Sequence, residues 1–186
     1  MSSQIGKLFA ILTLAVGSLG SAAIAADDAK LVMADGKVTA EKPEQWQVVQ
    51  PKMRMIQFEF AAPQDAAAED AARITIMQAS GSIEDNVNRW IAQFEGATKE
   101  DAKVEKKEVE GGMIHTVDLT GTFVQTMGGP FAPGPTKKLE DHRLLGVIIE
   151  TKNSGKIFVK MTGPAKTVED LSKGMSTFLD SVEIKP

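Results

Sequence analysis

The absence of cysteine is the feature that most restricts what this chain can fold into. None of its 186 residues is a cysteine, so no disulfide, zinc–thiolate site, iron–sulfur cluster or thiol nucleophile can form, whatever compartment the protein occupies. The fold must therefore be held together by packing. A domain of about 160 residues is large enough for this, because it buries close to 70% of the surface of its unfolded chain.

Residues 1–25 have the composition of a secretory signal peptide. Leu8–Val16 is uncharged and mostly apolar, and Ala23-Ile24-Ala25 is the small-x-small pattern that a signal peptidase accepts, which predicts cleavage before Ala26. An uncleaved anchor is the alternative, since the uncharged stretch is about long enough to span a bilayer. Asp27-Asp28 argues against it, because a retained anchor is expected to have a basic flank. We therefore predict a periplasmic or secreted protein.

Residues 26–186 are expected to form one domain with no transmembrane segment of its own. Removal of Lys7 changes the net charge from −4 to −5, since 20 basic residues then face 25 acidic ones. A chain of this charge lacks the broad basic field that non-specific nucleic-acid binding requires. We therefore expect no nucleic-acid partner.

Alternation of apolar and polar residues predicts strands along most of the chain. In Met53–Phe60, residues Ile56, Phe58 and Phe60 would share one face while Glu59 points to the other. Asp35-Gly36 favours a two-residue hairpin turn, because both positions tolerate positive φ. The other predicted strands are Leu31–Ala34, Lys37–Ala40, Arg73–Met77, Val104–Glu110, Met113–Val124, Leu144–Ile149, Lys156–Met161 and Val182–Ile184.

Two amphipathic helices are also predicted. One begins after a Ser82 cap and ends at Gly96, and the other begins at Thr167 with Asp170 completing the cap. Their apolar faces comprise Ile83, Val87, Trp90, Ile91 and Phe94 in the first, and Val168, Leu171, Met175, Phe178 and Leu179 in the second. Neither helix can bury such a face alone, so both must pack on the sheet. The predicted fold is α+β, with a mainly antiparallel sheet and two helices.

Asn86, Arg89 and Gln93 are the first candidate binding residues. They recur at helical spacing beside the apolar face of the first helix, so their polar ends could present a surface to a carboxylate or a peptide backbone. The alternative is structural, with these side chains hydrogen-bonding a neighbouring loop and fixing the helix on the sheet.

The connection between Gly121 and His142 is the second candidate. About twenty residues is long for a loop inside a compact domain, and such loops are often binding loops. Met127 and Phe131 would be its apolar contact residues on a support rich in glycine and proline. Alternatively, both side chains pack back over the sheet.

His115 and His142 are the remaining candidates for chemistry. On a strand, His115 and Asp118 would point to opposite faces, and no third metal ligand can be identified near His142. The sequence has no recognisable nucleotide, metalloprotease, hydrolase or calcium-binding motif. We therefore expect a protein that is not an enzyme and has no cofactor.

Four segments together resemble a group of exported, uncharacterised bacterial proteins that share an Asn-x-x-Arg-Trp-x-x-Gln-Phe helix. These segments, spread between Trp46 and Val182, are Gly81–Phe94, Val117–Phe123, Arg143–Gly146 and Phe158–Pro164. The order of predicted elements is also similar to the fold of PsbP, the extrinsic protein of photosystem II. That second resemblance implies a PsbP-like sandwich used for protein contacts, and it transfers no site.

The function expected from the sequence is a non-enzymatic binding or assembly module with a protein partner in the cell envelope. Two alternatives stay open. One is a metal-dependent hydrolase that uses His115 or His142, and the other is a carrier of a small apolar ligand held between the sheet and a helix.

The signal peptide gives a direct prediction. Protein isolated from the envelope or medium of the producing cell should begin at Ala26, because the small residues at 23 and 25 fit signal peptidase. Intact-mass spectrometry measures this. A mass that still includes residues 1–25 would instead indicate a retained anchor.

Overall fold

The computed structural model describes residues 29–127 and 134–185. The predicted signal peptide and Phe131 lie outside this range. The described residues form helices α1 (Ile83–Ile91) and α2 (Ala165–Asp180). The strands are β1 (Lys30–Met33), β2 (Val38–Glu41), β3 (Gln47–Val49), β4 (Phe58–Ala62), β5 (Ala72–Ala79), β6 (Lys103–Val109), β7 (Gly112–Thr126), β8 (Thr136–Thr151), β9 (Lys156–Pro164) and β10 (Glu183–Ile184).

All described strand pairs are antiparallel and form two sheets. The larger sheet has seven strands in the order β3-β4-β5-β9-β8-β7-β6, and the smaller has the order β1-β2-β10. With two helices packed on it, this arrangement confirms the predicted α+β fold.

The two helices cover opposite faces of the seven-stranded sheet. On the face that we call the α2 face, Val147 and Ile149 pack with α2 and the small sheet. On the other, the α1 face, Leu144 and Ile148 pack with α1. Because successive residues of a strand point to opposite faces, β8 is apolar on both sides and lies at the centre of both cores.

Gly146 on β8 lets α1 lie close to the sheet. A Cβ atom at this position would stand 2.4 Å from Cζ3 of Trp90. Trp90 in turn meets Phe158 edge-on, with ring centroids 6.0 Å apart. The indole therefore occupies the space that any other side chain would need.

The strand predicted at Met53–Phe60 is shorter and displaced in the structure. The chain turns through a hydrogen bond from the Ile56 N–H to the Met53 carbonyl (3.1 Å), and β4 begins only at Phe58. Ile56 is buried as predicted, but Glu59 is also buried. Glu59 points to the face opposite Phe60, as predicted, and is buried there because Arg73 donates to its carboxylate (2.7 Å).

The first hairpin has the predicted position but a longer turn. Met33 pairs with Val38, so four residues connect the strands instead of two. Ala34, Asp35 and Gly36 all have positive φ. The Asp-Gly signal therefore located the reversal correctly and gave the wrong loop length.

Both helix boundaries differ from prediction at one end. Ser82 caps α1 as expected, accepting from the Asp85 N–H, but the helix ends at Ile91 instead of Gly96. Helix α2 begins at Ala165 with no side-chain cap, because its N-cap residue is Pro164. Thr167, the predicted start, lies inside the first turn, and its hydroxyl donates to the Asp70 carbonyl.

The predicted loop between Gly121 and His142 is mostly a β-hairpin. Strands β7 and β8 continue to pair out to Thr126 and Thr136. The loop prediction was wrong for these residues, because the polar composition of this stretch hid its strand pairing. Residues 128–133 lie outside the described range.

Replacement of Gly146 by alanine tests how α1 is seated. The new methyl group would overlap the Trp90 ring, so we expect the free energy of unfolding to fall by about 1–3 kcal/mol. Gly121→Ala is the matched control, since a Cβ there would make an ordinary 3.5 Å contact with Phe94. Equal losses in the two variants, measured by urea unfolding, would contradict this account.

Candidate functional site

The outer parts of β7 and β8 project beyond the sheet as a two-stranded arm. Strand β6 pairs with β7 only as far as Asp118, and β9 pairs with β8 only as far as His142. Beyond these points β7 and β8 pair with each other, from Phe123 with Leu139 to Thr126 with Thr136. We call residues 122–126 and 136–141 the arm.

A bulge separates the arm from the sheet. The register shifts between Gly121 and Phe123, with one additional residue on β8, and Asp141 in this stretch has a φ of 50°. A bulge of this kind bends a strand pair and strengthens its twist. The bulge therefore bends the strand pair at the point where the arm begins.

The segment that follows α1 holds the base of the arm. The Glu95 N–H donates to the Thr122 carbonyl (2.9 Å), and the Val124 N–H donates to the Gln93 carbonyl (2.7 Å). The side chains of Lys138 and Glu95 form an ion pair. Residues 93–95 thus act as a short third strand beside the arm.

Phe123 is the central side chain at this base. Its ring meets Phe94 edge-on with centroids 5.4 Å apart and stacks on His142 with centroids 6.3 Å apart. The Lys160 ammonium lies 5.5 Å from its centroid, within the range of a cation–π contact. One aromatic ring therefore joins α1, β8 and β9 to the arm.

Met127 follows the last residue of β7 and is exposed. Its side chain is 66% accessible, while its N–H donates to the Pro135 carbonyl (3.0 Å) and closes the strand pair. The backbone at Met127 is thus held in place while its apolar side chain faces solvent.

The three polar residues of the α1 motif do not form one exposed stripe. Asn86 is buried, and its amide donates to the carbonyls of Ser82 (2.8 Å) and Ser80 (3.3 Å). Arg89 is exposed on α1. Gln93 lies past the end of the helix and accepts from Lys160. Asn86 and Gln93 thus make contacts that fix α1, while Arg89 faces solvent.

Lys160 lies among neutral partners on the α1 face. Its ammonium donates to the Gln93 side-chain oxygen and faces the Phe123 ring. Burial, together with the charge of Arg73, lowers the pKa of Lys160 to about 8. No carboxylate of the described residues forms an ion pair with it.

Glu59 and Arg73 form a pair on the same face. Arg73 Nε donates to Glu59 Oε1 (2.7 Å), and the Lys52 N–H donates to Glu59 Oε2 (2.9 Å). Burial raises the pKa of Glu59, but these hydrogen bonds and the charge of Arg73 outweigh it and hold the pKa below its usual value. The carboxylate stays ionised and engages Arg73, which leaves Lys160 without an anion.

The two histidines have different hydrogen-bond partners. His115 Nε2 lies 3.4 Å from Glu150 Oε2, and His142 Nδ1 lies 2.9 Å from the Glu140 carbonyl. Asp118 is on the opposite face from His115, as predicted, and binds Arg143 through both carboxylate oxygens (2.8 and 2.7 Å). The described residues include no group of three or more His, Cys, Asp or Glu side chains that could hold a metal ion.

A groove of about 650 Å³ lies elsewhere, between the β6–β7 hairpin and the C-terminal half of α2. Val109 and Ile114 of the hairpin and Leu179 of α2 contribute apolar surface to it, and Lys107 and Asp180 contribute charge. None of Asn86, Arg89, Gln93, His115 and His142 lines this groove.

Sequence reasoning did not find Phe123, Lys160 or Arg73. The sequence pattern places Phe123 on a strand with no further role, and Lys160 is an ordinary polar position in the alternation of the predicted strand Lys156–Met161. The available signal was the pair of basic residues at inward-facing positions of two predicted strands, Arg73 and Lys160. Their adjacency could be recognised only once β5 was known to pair with β9.

The sequence matches no family model and no curated protein. Among solved structures, the solution structure of the cyanobacterial PsbP protein CyanoP from Synechocystis superposes with a TM-score of 0.50 at 14% identity, covering 91% of this chain and 98% of that one. The chain has a PsbP-like fold.

LpqN, described as involved in cell envelope biogenesis of Mycobacterium tuberculosis, is also similar, with a TM-score of 0.47 and 10% identity over 84% of this chain and 90% of that one. These identities are low, so the likeness concerns the fold. Within residues 29–127 and 134–185, no helix is long and apolar enough to cross a bilayer.

The lowered pKa of Lys160 predicts a specific pH dependence. Between the folded value of about 8 and the value of about 10.4 in an unfolded chain, the unfolded state binds more protons. The free energy of unfolding therefore rises with pH across this window.

We expect the free energy of unfolding of the wild type, minus that of Lys160→Met, to increase between pH 7.5 and pH 10.5. The subtraction removes the contribution of the other lysines. Urea unfolding at several pH values measures it, and parallel pH profiles of the two proteins would show that the pKa of Lys160 is ordinary.

Proposed function

We propose that the protein is an exported, non-enzymatic binding module that contacts a protein partner in the cell envelope through its arm. The observation that carries this proposal is the geometry of the arm, a strand pair that continues past the sheet and has an exposed methionine, Met127, directly after β7. The periplasmic or secreted location belongs to the proposal and rests on residues 1–25 of the sequence.

The fixed base of the arm supports this function. A binding surface loses less conformational entropy when it is ordered before the partner arrives. Two backbone hydrogen bonds, the Lys138–Glu95 ion pair and the Phe123 cluster all order the arm. An exposed Met127 on such a support is an adaptable apolar contact.

The outer edge of the arm, where the β8 backbone has no described neighbouring strand, also suits pairing with a strand from a partner. From Thr136 to Asp141, β8 has no described neighbour on its outer side. An edge of this kind can take up an additional strand from a partner. This edge carries Lys137, Lys138, Glu140 and Asp141, and Lys138 is paired with Glu95, so it has no net charge and recognition would rest on backbone hydrogen bonds.

The candidate residues have different places in this proposal. Met127 and Arg89 are exposed and could contact a partner. Phe131 lies outside the described residues and is included as a contact residue on the sequence alone. Gln93 and Asn86 act through the position of α1, since Gln93 bonds the arm by its carbonyl. Their replacement would alter binding by moving the base of the arm.

The matched pair Met127 and Met55 tests the arm. The two side chains are 66% and 61% exposed, and Met55 lies in the turn before β4. A photo-crosslinking residue placed at position 127 should form an adduct with an envelope protein, whereas the same residue at position 55 should not.

With that partner purified, Met127→Ser should weaken its affinity at least about fivefold, as expected for an interface residue that contributes more than about 1 kcal/mol. The thermal midpoint should stay unchanged, because the site is on the surface. Equal crosslinking from both positions, or equal affinity of Met127→Ser and Met55→Ser, would exclude the arm as the contact surface.

A further inference from the structure

The groove beside α2 has the form of a small-ligand site. Its volume of about 650 Å³ lies within the range of about 300–1,000 Å³ typical of such sites. It is separate from the arm, because its walls come from β6, the inner part of β7 and the end of α2. We propose that this groove binds a short apolar peptide with both of its ends charged.

The apolar part of the groove is continuous with the core. Ile114 is buried, and Val109, Leu179 and Val182 are partly buried residues that pack against the α2-face core. Covering these four side chains would remove apolar surface from water at little cost in reorganisation, because the core already holds them. The floor therefore favours a ligand with aliphatic side chains.

Two oppositely charged side chains without an ion pair face each other across the groove, Lys107 and Asp180. Lys106 also lines the groove, but it pairs in register with His115, so it belongs to the other face of β6. Lys107 on β6 shares a face with Ile114 by register, and Asp180 ends α2. Neither forms an ion pair with another described residue, whereas Glu105 on the same wall is paired with Lys103 at 3.0 Å. A ligand bound between them would be stabilised by carrying one cation and one anion.

The end of α2 determines which charge belongs where. The C-terminus of a helix carries a partial negative charge, and α2 has no basic residue in its last turn. Asp180 adds a full negative charge at this point. An ammonium group is the natural neighbour of Asp180, and a carboxylate is the natural neighbour of Lys107.

A short peptide with free ends combines all three features. It carries one ammonium, one carboxylate and aliphatic side chains between them. The wall from Glu105 to Val109 is extended strand and spans about 13 Å, so a ligand of about four extended residues is the longest that could lie along it. A simple fatty amine or fatty acid would satisfy one of the two charges and leave the other unpaired.

Calorimetric titration of the mature protein with the tetrapeptide Leu-Val-Leu-Ala tests the proposal. We expect binding in the micromolar to millimolar range, with shifts of the Ile114 and Leu179 methyl signals in NMR spectra. Asp180→Asn and Lys107→Met should each weaken binding about threefold to fivefold, as expected for partly exposed ion pairs.

Peptides with one end chemically blocked show which end of the ligand each charged side chain contacts. Asp180→Asn should not affect the N-acetylated peptide, and Lys107→Met should not affect the C-amidated peptide, because the group that each side chain meets is already absent. Asp170→Asn and Lys166→Met, at the other end of α2, are the matched controls and should leave all affinities unchanged.

Two results would overturn the proposal. One is the absence of peptide binding, including the case in which decylamine or decanoate shifts the groove methyls instead. The other is an equal effect of the variants on free and blocked peptides. Met127→Ser should leave peptide affinity unchanged, so failure here and failure of the proposed arm contact are distinguishable.

Discussion

The double burial of the central strands is the constraint on which the rest of this structure depends. Val147 and Ile149 face one core while Leu144 and Ile148 face the other, so β8 needs apolar residues at nearly every position between them. Without cysteine, these two cores are the main source of stability. Gly146 is the exception within this run, because Trp90 fills its place.

The same strands that fill both cores also carry the arm. Strands β7 and β8 pass from the sheet through the bulge near Asp141 and continue as the arm. Movement at the base of the arm would have to disturb Phe123 and its neighbours on α1 and β9. The side chains packed around Phe123 therefore fix the position of the arm and limit its movement.

Much of the fold could be predicted from local patterns. The Ser82 cap and the spacing of Val87, Trp90 and Ile91 define α1 within a few residues, because capping and amphipathic spacing are local properties. The Asp35-Gly36 turn locates the first hairpin for the same reason. The resemblance to PsbP agrees with the observed fold.

Features that depend on contacts distant in sequence could not be predicted. Glu59 reads as a solvent-facing residue until Arg73 is placed on the neighbouring strand. The sequence of the arm predicts a loop because it is mostly polar and shows no apolar face. Only the pairing between β7 and β8 identifies it as strand. The groove requires α2 and β6, which are about 70 residues apart in sequence, to be placed together.

The charge pattern of β6 has a further consequence for association between copies of the chain. This strand is an edge of the large sheet and is exposed over nearly all its length. Its charged side chains are Lys103, Glu105, Lys106, Lys107 and Glu108. Charged side chains on an edge strand, lysines above all, discourage pairing with another chain. This edge therefore resists growth into fibres while its backbone remains open.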